Sequence, residues 1–304
     1  MRVVAVPRKK FFFSVTRCLG GAVAFLSVAI IADAQQVTIL PRVPSAGSVI
    51  RISLSRPEIS SVEGDLGGEP LHFRRSSSDT WHSIGAVPLD ASRSITGHVI
   101  AELRSGARDT IPLVVTLPAP PPPSRGRART RKLSVSPRFT QPLDSATEAR
   151  IARENERARD IGRRSHDTPR MWSSPFIRPR PSAITARFGS GRTFNGTLSA
   201  RHLGVDLRGS TGSPVVAANR GIVALVDRFF LAGNVVYIDH GNGVVTGYFH
   251  LSRTLVAEGD TVARGQKIGL VGATGRVTGP HLHWSARYGA LTVNPLGLIS
   301  IGSW

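Results

Sequence analysis

Hydrophobic and polar residues alternate in short runs along much of this chain, with the two-residue period of strands that bury one face. In residues 50–54, Ile and Leu alternate with Arg and Ser, and in residues 98–103 Val, Ala and Leu alternate with His, Ile and Glu. The chain also has 31 glycines and only 6% aromatic residues, which favours tight turns and β structure. The pattern predicts a small N-terminal β domain over residues 35–117, which we expect to be sandwich-like.

A second series of strand-like runs follows residue 183, separated by glycine or asparagine turns. The runs are Pro214–Ala218, Gly221–Val226, Asn234–Asp239, Val244–Leu251, Lys267–Val271 and Pro280–Tyr288. The Gly- and Asn-rich residues 239–243 predict a hairpin between two of them. We therefore predict an all-β protein whose C-terminal domain, residues 181–304, is a compact antiparallel unit.

Residues 118–180 differ in composition and are predicted to be a linker. They begin with the proline run Pro118–Pro123, which is typical of an extended, semi-rigid connection. Residues 132–135 favour one further strand. The capping-box pattern at Ser145–Glu148 predicts a charged helix that runs to about Ile161, with Gly162 as its stop. The apolar face of this helix is thin, so we expect it to lie on the surface.

The first 34 residues have the features of a signal peptide. Basic residues between positions 2 and 10 precede the apolar run Cys18–Ile31, and Ala32–Ala34 offers a small-residue cleavage site. The apolar run is short of the roughly 20 residues of a membrane span. We expect cleavage, no stable membrane span afterwards, and export to the periplasm or cell envelope; the alternative is an uncleaved anchor. Cleavage would remove Cys18, the single cysteine, and with it any thiolate chemistry.

The net charge of +19 is concentrated in the linker. Residues 125–180 contain 15 Lys and Arg against 6 Asp and Glu, a surplus of nine positive charges. An export signal and the lack of interleaved aromatic and basic residues argue against a nucleic-acid partner. A basic connector usually stays solvated, and this one could also attract anionic envelope polymers by long-range electrostatic forces.

Candidate chemistry begins with two histidines in one predicted strand. His281 and His283 would project from one face while Leu282 points into a core. His202 and Asp206 would likewise share a face, with Gly204 between them leaving room for an ion, and Leu203, Val205 and Leu207 facing the core. Two nitrogens and a carboxylate suit Zn²⁺, and a catalytic zinc has three protein ligands and an open position. Three of these four residues could bind the metal, which leaves one histidine for acid–base or transition-state work.

A fifth candidate is His250, which could shuttle a proton or stabilise an oxyanion. Its strand is predicted to place residues 246, 248 and 250 on one face and residues 245, 249 and 251 on the other. Each of these motifs is weakly specific alone, and the combination within one cysteine-free β domain favours a zinc site. His240 lies in the hairpin turn and is interpreted as structural. We interpret His72, His82 and His98, which have no ligand spacing, as surface or hydrogen-bonded histidines.

Residues 180–297 resemble the lysostaphin/LytM-type zinc metallopeptidases that cut peptidoglycan cross-bridges or stem peptides. The similarity is carried by segments along the whole domain: Ile184–Gly189, Arg192–Gly196, His202–Leu207, Gly212–Ala218, Gly221, Gly233–Asn234, Asp239–Gly241, Tyr248–Leu251, Val256–Gly269 and Gly275–Trp284. Residues 81–85 and 132–137 more weakly resemble the β domain and linker that precede the peptidase in Gram-negative members.

The resemblance implies that His202, Asp206 and His283 bind zinc and that His250 and His281 are catalytic. It implies a zinc-dependent endopeptidase that acts on the peptides of peptidoglycan. Phe249 departs from the family pattern, which more often has a small residue there, and we expect its ring to face away from the site. A non-catalytic envelope protein that binds peptidoglycan or regulates other hydrolases is the alternative, but it would lack a ligand, and none is missing here.

Overall fold

The computed structural model describes residues 37–77, 79–119, 131–196 and 198–302. The predicted signal peptide and most of the proline run lie outside these residues. The described residues are mostly β, and the predicted antiparallel all-β fold is confirmed. We retain the boundaries 35–117, 118–180 and 181–304 as a proposal. The helices among the described residues are too short or too polar to cross a membrane.

The described N-terminal residues form two four-stranded antiparallel sheets. One has the strand order β1-β2-β6-β5 and the other the order β4-β3-β7-β8. The strands are β1 (Val37–Leu40), β2 (Val49–Ser55), β3 (Ile59–Leu66), β4 (Glu69–Pro70), β5 (Arg74–Arg75), β6 (Thr80–Ala86), β7 (Ser94–Leu103) and β8 (Arg108–Thr116). Both sheets contribute to one hydrophobic cluster, in which Ile50, Ile52, Leu54, Val99 and Ala101 are fully buried.

The larger C-terminal sheet carries four of the five predicted site residues, Asp206, His250, His281 and His283. Its order is β10-β13-β20-β17-β16-β15-β18; β19 pairs with β14 and β17, and β21 pairs with β20. The strands are β10 (Ile184–Ala186), β13 (Val205–Arg208), β14 (Pro214–Val216), β15 (Gly221–Phe229), β16 (Gly233–Gly241), β17 (Val244–Thr254), β18 (Thr261–Val262), β19 (Lys267–Val271), β20 (His281–Tyr288) and β21 (Leu291–Val293). The β16–β17 pair confirms the predicted hairpin, and a short helix α2 (Pro295–Ser300) follows the sheet.

The two faces of this sheet have different partners. One face builds the main core, in which Val205, Leu207, Leu282 and Trp284 have no exposed surface. The opposite face carries a smaller cluster that includes residues of the helix α1 (Ser145–Arg164). Because side chains alternate along β13 and β20, residues next to the core positions must emerge on this second face.

The helix α1 is longer and more buried than predicted. It starts after Asp144, whose carboxylate accepts a hydrogen bond of 2.6 Å from the Thr147 amide, so Ser145 is not the cap. It continues past Gly162 to Arg164 and packs Ala158 and Ile161 on the sheet. A Cβ at position 162 would lie 1.9 Å from the Gly289 carbonyl oxygen, so glycine there allows close packing and does not end the helix.

The segment predicted as a linker also adds a strand. Residues Arg131–Leu133 form β9, which pairs in parallel with β11 (Gly191–Phe194), and β11 pairs with β12 (Leu198–Arg201). The Asn195 side chain accepts a hydrogen bond of 2.9 Å from the Val135 amide and donates one of 2.9 Å to its carbonyl. These contacts attach the linker to the β11–β12 hairpin.

A polar network connects the N-terminal sheets to the C-terminal sheet. His166, which follows α1, lies 2.9 Å from the Glu69 carboxylate and 2.8 Å from His72. Glu69 also accepts a 2.9 Å hydrogen bond from the Ala290 amide. His82 and His98 are likewise bonded, to Ser53 and Asp65, which confirms that these histidines serve local structure.

His240 is structural, as predicted, although it lies in β16 and is fully buried. Its Nδ1 donates a 2.7 Å hydrogen bond to the Arg220 carbonyl, so in the neutral ring Nε2 accepts from Thr246, 2.8 Å away. Burial lowers the pKa of His240 to about 4, against an ordinary value of 6.5. The folded protein therefore holds this imidazole neutral.

We predict that His240 contributes an acid-sensitive part of the stability. The unfolded chain gains a proton there below about pH 6.5 and the folded chain only near pH 4, so the free energy of unfolding falls as the pH drops through this window. The loss is on the order of 3 kcal/mol. Urea denaturation of the wild type and of His240→Asn, both with a chelator, should show the wild-type advantage shrinking between pH 7 and pH 4.5. An advantage independent of pH would contradict this explanation.

Candidate metal centre

Three predicted ligand residues meet on the outer face of the C-terminal sheet. The Nε2 atom of His202 lies 2.9 Å from the Asp206 Oδ1 atom and 2.9 Å from the His283 Nδ1 atom. His283 Nδ1 lies 3.0 Å from the same carboxylate oxygen. All three residues are buried, and together they form a group that could hold a metal ion. Their assignment as ligands stays a prediction.

Strand pairing places two of these residues, and a loop places the third. In the antiparallel pair β13–β20, Asp206 lies directly opposite His283. His202 precedes β13 and is not within it, and its Nδ1 donates a 2.9 Å hydrogen bond to the Arg187 carbonyl. This bond leaves the lone pair of Nε2 directed at the cluster.

Two details near His202 differ from the sequence prediction. A Cβ on Gly204 would lie 2.5 Å from His283 Nε2, so the glycine makes room for an imidazole and not for the ion. Leu203 is 47% exposed and lines a cavity beside the site, so it does not face the core. Because His202 and Leu203 precede the regular strand, strand alternation does not fix their direction.

Asp206 has a basic neighbour that sequence reasoning missed. Arg192 of β11 donates a hydrogen bond to its second oxygen, Oδ2, while Oδ1 faces the histidines. Burial opposes ionisation of Asp206, but its contacts with His202 and His283 outweigh burial and hold the pKa of the carboxyl below its ordinary value. The carboxylate is therefore charged and held at both oxygens. The sequence pattern that could have identified Arg192 is the alternation Arg192-Thr193-Phe194, which places Arg192 and Phe194 on one face of a hairpin.

The predicted catalytic histidines lie beside this cluster. His281 Nε2 is 3.6 Å from Asp206 Oδ1, and its Nδ1 donates a 2.8 Å hydrogen bond to the Gly279 carbonyl. The His250 Nδ1 donates a 2.8 Å bond to the Thr274 carbonyl. The ring centres of His250 and His281 are 5.0 Å apart. Both rings therefore present Nε2 as the atom that remains for a reacting group.

His250 reaches the site by a route that strand alternation does not predict. Thr246 and Tyr248 are fully buried, and Tyr248 belongs to the main core, so their face of β17 is not the site face. The pairing register of β17 shifts next to His250, whose φ is +62°. This bulge with left-handed backbone turns the imidazole toward the outer face. The predicted face of residues 246, 248 and 250 is thus wrong for this strand.

Phe249 faces the site, contrary to expectation. Its ring stacks on His283, with ring centres 5.2 Å apart and an angle of 9° between the planes. Phe249 lies directly opposite His283 in the β17–β20 pair, so the two side chains share a face. The stacking fixes the plane of the imidazole and shields it from water.

Burial keeps two of the imidazoles neutral. It lowers the pKa of His283 to about 4 against the opposing effect of the Asp206 hydrogen bond. Burial, reinforced by repulsion from His281 and His283, holds the pKa of His250 well below its ordinary range. Neutral imidazoles offer lone pairs to a cation or a proton at neutral pH.

Two cavities flank the cluster. The larger, about 280 Å³, is bordered by Asp206 and His281, and the smaller, about 190 Å³, by His202, His250 and His283. Arg192, Phe194 and Arg276 line both. The linker residues Leu133 and Val135 line the larger one. The segment before the C-terminal domain thus forms part of the wall of the site, a role that sequence reasoning did not assign to it.

The site consists of a buried His–Asp–His group beside two further histidines in an antiparallel β domain. These features identify it as a candidate metallohydrolase site. Residues 200–295 match the profile of peptidase family M23. This match assigns residues 200–295 to an M23 peptidase domain.

Relatives with known names match the same part of the chain. The peptidoglycan DD-endopeptidase ShyA of Vibrio cholerae is 51% identical over 85 residues, which are 28% of this chain and 20% of that protein. The DD-carboxypeptidase/endopeptidase Mpg of Neisseria meningitidis is 46% identical over 97 residues, 32% of this chain and 22% of that protein. The match thus spans about a fifth of the length of each relative.

The fold of nearly the whole described chain has a counterpart among solved structures. A crystal structure of a Pseudomonas aeruginosa protein assigned to peptidase M23 aligns with a TM-score of 0.63 and 24% identity. The alignment covers 84% of this chain and 95% of that one. At this identity the likeness concerns the fold.

We predict that Arg192 tunes metal affinity through Asp206. A partner that holds the second oxygen of a ligating carboxylate orients it, and its loss typically weakens metal binding by about 10-fold to 100-fold. Competition with a chromogenic chelator should show this loss in Arg192→Gln and a smaller one in Arg192→Lys, which keeps the charge. Arg253→Gln, an exposed arginine of β17 outside both cavities, serves as the control. Wild-type affinity in Arg192→Gln would show that the contact has no such role.

Proposed function

We propose that this protein is a zinc-dependent endopeptidase that hydrolyses peptide cross-links or stem peptides of peptidoglycan in the cell envelope. The observation that carries the proposal is the convergence of His202, Asp206 and His283 beside His250 and His281 within an M23 domain. The names of the relatives ShyA and Mpg support the substrate class. Export by a cleaved signal peptide is part of the proposal.

The donor set fits zinc. His202 Nε2, Asp206 Oδ1 and His283 Nδ1 would hold the ion, since two neutral imidazoles and one carboxylate are a common ligand set for catalytic zinc. The hydrogen bonds from His202 Nδ1 to Arg187 and from Arg192 to Asp206 are the outer contacts that such ligands need. Zinc bound there would supply Lewis acidity, which activates water and polarises a carbonyl group.

The two remaining histidines supply proton transfer. Each has its Nδ1 proton committed to a backbone carbonyl, Thr274 for His250 and Gly279 for His281, which orients Nε2 toward the cavities. A neutral Nε2 accepts a proton from the attacking water, and the same nitrogen, once protonated, donates to the departing amine. The other imidazole steadies the developing oxyanion when its Nε2 carries a proton and can donate a hydrogen bond. The assignment of these two roles between His250 and His281 is open in the proposal.

The basic segment 125–180 would serve the same function by attracting anionic polymers of the envelope to the enzyme. Its charges are partly committed to the protein itself: Arg157 contacts Asp227, Arg150 contacts Glu154, and Arg163 contacts Glu156. The remaining charges of the segment act through the electrostatic field that they produce together, and salt screens this field. Binding of anionic polymers should therefore weaken as the ionic strength rises.

We predict different losses for two histidine variants. His281→Ala should retain zinc and lose about 10²- to 10³-fold in hydrolysis, because it removes a transition-state contact and no ligand. His283→Ala should lose both zinc and hydrolysis. Metal content by mass spectrometry and release of soluble muropeptides from purified peptidoglycan, with and without chelator, measure the two effects. Release of muropeptides also distinguishes the enzyme from a non-catalytic binder.

His98→Ala is the matched control, since this histidine is partly exposed and contacts Asp65 far along the chain from the site. It should behave like the wild type in both assays. Full zinc occupancy in His283→Ala would overturn the ligand assignment, and unchanged hydrolysis in His281→Ala would overturn its catalytic role.

A further inference from the structure

The two cavities beside the candidate metal centre differ in chemistry. The smaller one has several apolar walls, including Phe194, Leu203, Leu231 and Phe249. The larger one is lined by three arginines, Arg192, Arg208 and Arg276, and is named here the arginine cavity. Asp206 is the only carboxylate among its described lining residues, and Arg192 is bound to it. Two guanidinium groups therefore remain to give this cavity its positive charge.

Arg208 is positioned next to the reacting groups by strand pairing. It lies directly opposite His281 in the β13–β20 pair, and it follows Asp206 by two residues on its own strand. Both relations place its side chain on the site face of the sheet. Its side chain makes no ion pair with a carboxylate of the described chain, and the residue is exposed. A group bound by Arg208 would thus lie close to His281.

Arg276 faces the same cavity from the loop that precedes β20. The central carbon of its guanidinium lies 4.1 Å from the ring centre of Phe194, so the aromatic face holds it in place. Burial, together with repulsion from Arg192, lowers the pKa of Arg276. No carboxylate of the described residues lies within ion-pair distance of it. The binding of an anion therefore stabilises a half-buried cation that has no counter-ion.

We propose that the arginine cavity is a subsite that binds a carboxylate group of the peptide substrate through Arg208 and Arg276. This rests on the proposed function, because the cavity is bordered by His281 and Asp206 and its ligand would lie beside the scissile bond. A guanidinium matches a carboxylate with two parallel hydrogen bonds, which gives both orientation and selectivity. The carboxylate could be the C-terminal group of a peptide or the side chain of an acidic residue, since the two share this chemistry.

Matched peptides test the subsite and its source. The zinc-loaded full chain is given a stem peptide with free carboxylates, the same peptide with its side-chain carboxylate amidated, and the same peptide with an amidated C-terminus. We expect one amidation to lower kcat/KM by about 10-fold to 100-fold, mainly through KM, because it removes charged hydrogen bonds. The amidation that lowers kcat/KM shows whether the cavity binds the side-chain carboxylate or the C-terminal carboxylate. Equal rates for all three peptides would overturn the proposal.

Variants then connect the effect to the two arginines. In Arg208→Met and Arg276→Met, the preference for the carboxylate peptide, measured as the ratio of its kcat/KM to that of the amidated peptide that discriminates in the wild type, should fall toward one. Arg276→Lys should restore part of the preference. Arg253→Met is the control and should keep all of it. Zinc content and thermal stability show whether each variant is folded. An undiminished preference in the double variant Arg208→Met/Arg276→Met would refute the assignment.

Failure of the endopeptidase proposal can be distinguished from failure of the subsite proposal. If the zinc-loaded wild type cleaves none of the peptides, the endopeptidase proposal fails, and calorimetry still tests the cavity with the same uncleaved peptides. Tighter binding of the carboxylate peptide than of the matched amide, lost in Arg276→Met, would support the subsite. Equal binding of the two would refute it.

Discussion

The pairing of β13 with β20 is the constraint on which the site depends. It places Asp206 opposite His283 and Arg208 opposite His281, while Val205, Leu207, Leu282 and Trp284 fill the core on the other face. A shift of one residue in register would turn the histidines into the core and the large apolar side chains into water. The packing of these four buried side chains therefore holds the polar cluster on the outer face.

That outer face is only partly open to water, and several of its polar atoms are satisfied by protein groups. The backbone carbonyls of Arg187, Thr274 and Gly279 each accept one hydrogen bond, from His202, His250 and His281 respectively, and Arg192 donates to the second oxygen of Asp206. The neutral rings of His250 and His283 avoid the free energy needed to bury several like charges. In such a setting electrostatic contacts are stronger than in water, and little reorganisation is needed when a cation or substrate binds.

The segment before the peptidase domain is part of the architecture of the site. The strand β9 extends the β11–β12 hairpin, which carries Arg192 and Phe194 to the cluster, and Leu133 and Val135 close one wall of the arginine cavity. On the opposite face, α1 packs on the sheet, and His166 connects it to Glu69 of the N-terminal sheets. None of the described residues before residue 131 lines either cavity. The linker thus shapes the site more directly than the N-terminal sheets do.

The sequence alone determined the β character of both regions, the hairpin at residues 239–243 and the set of five polar residues, because side-chain period and turn residues are local properties. It did not determine that His250 reaches the site through left-handed backbone, that Phe249 stacks on His283, or that Gly204 accommodates an imidazole. The sequence also did not reveal the contact of Arg192 with Asp206 or the burial of α1. A bulge changes the direction of a side chain without changing the composition around it, and contacts between distant strands depend on register. Only the packed tertiary structure decides these features.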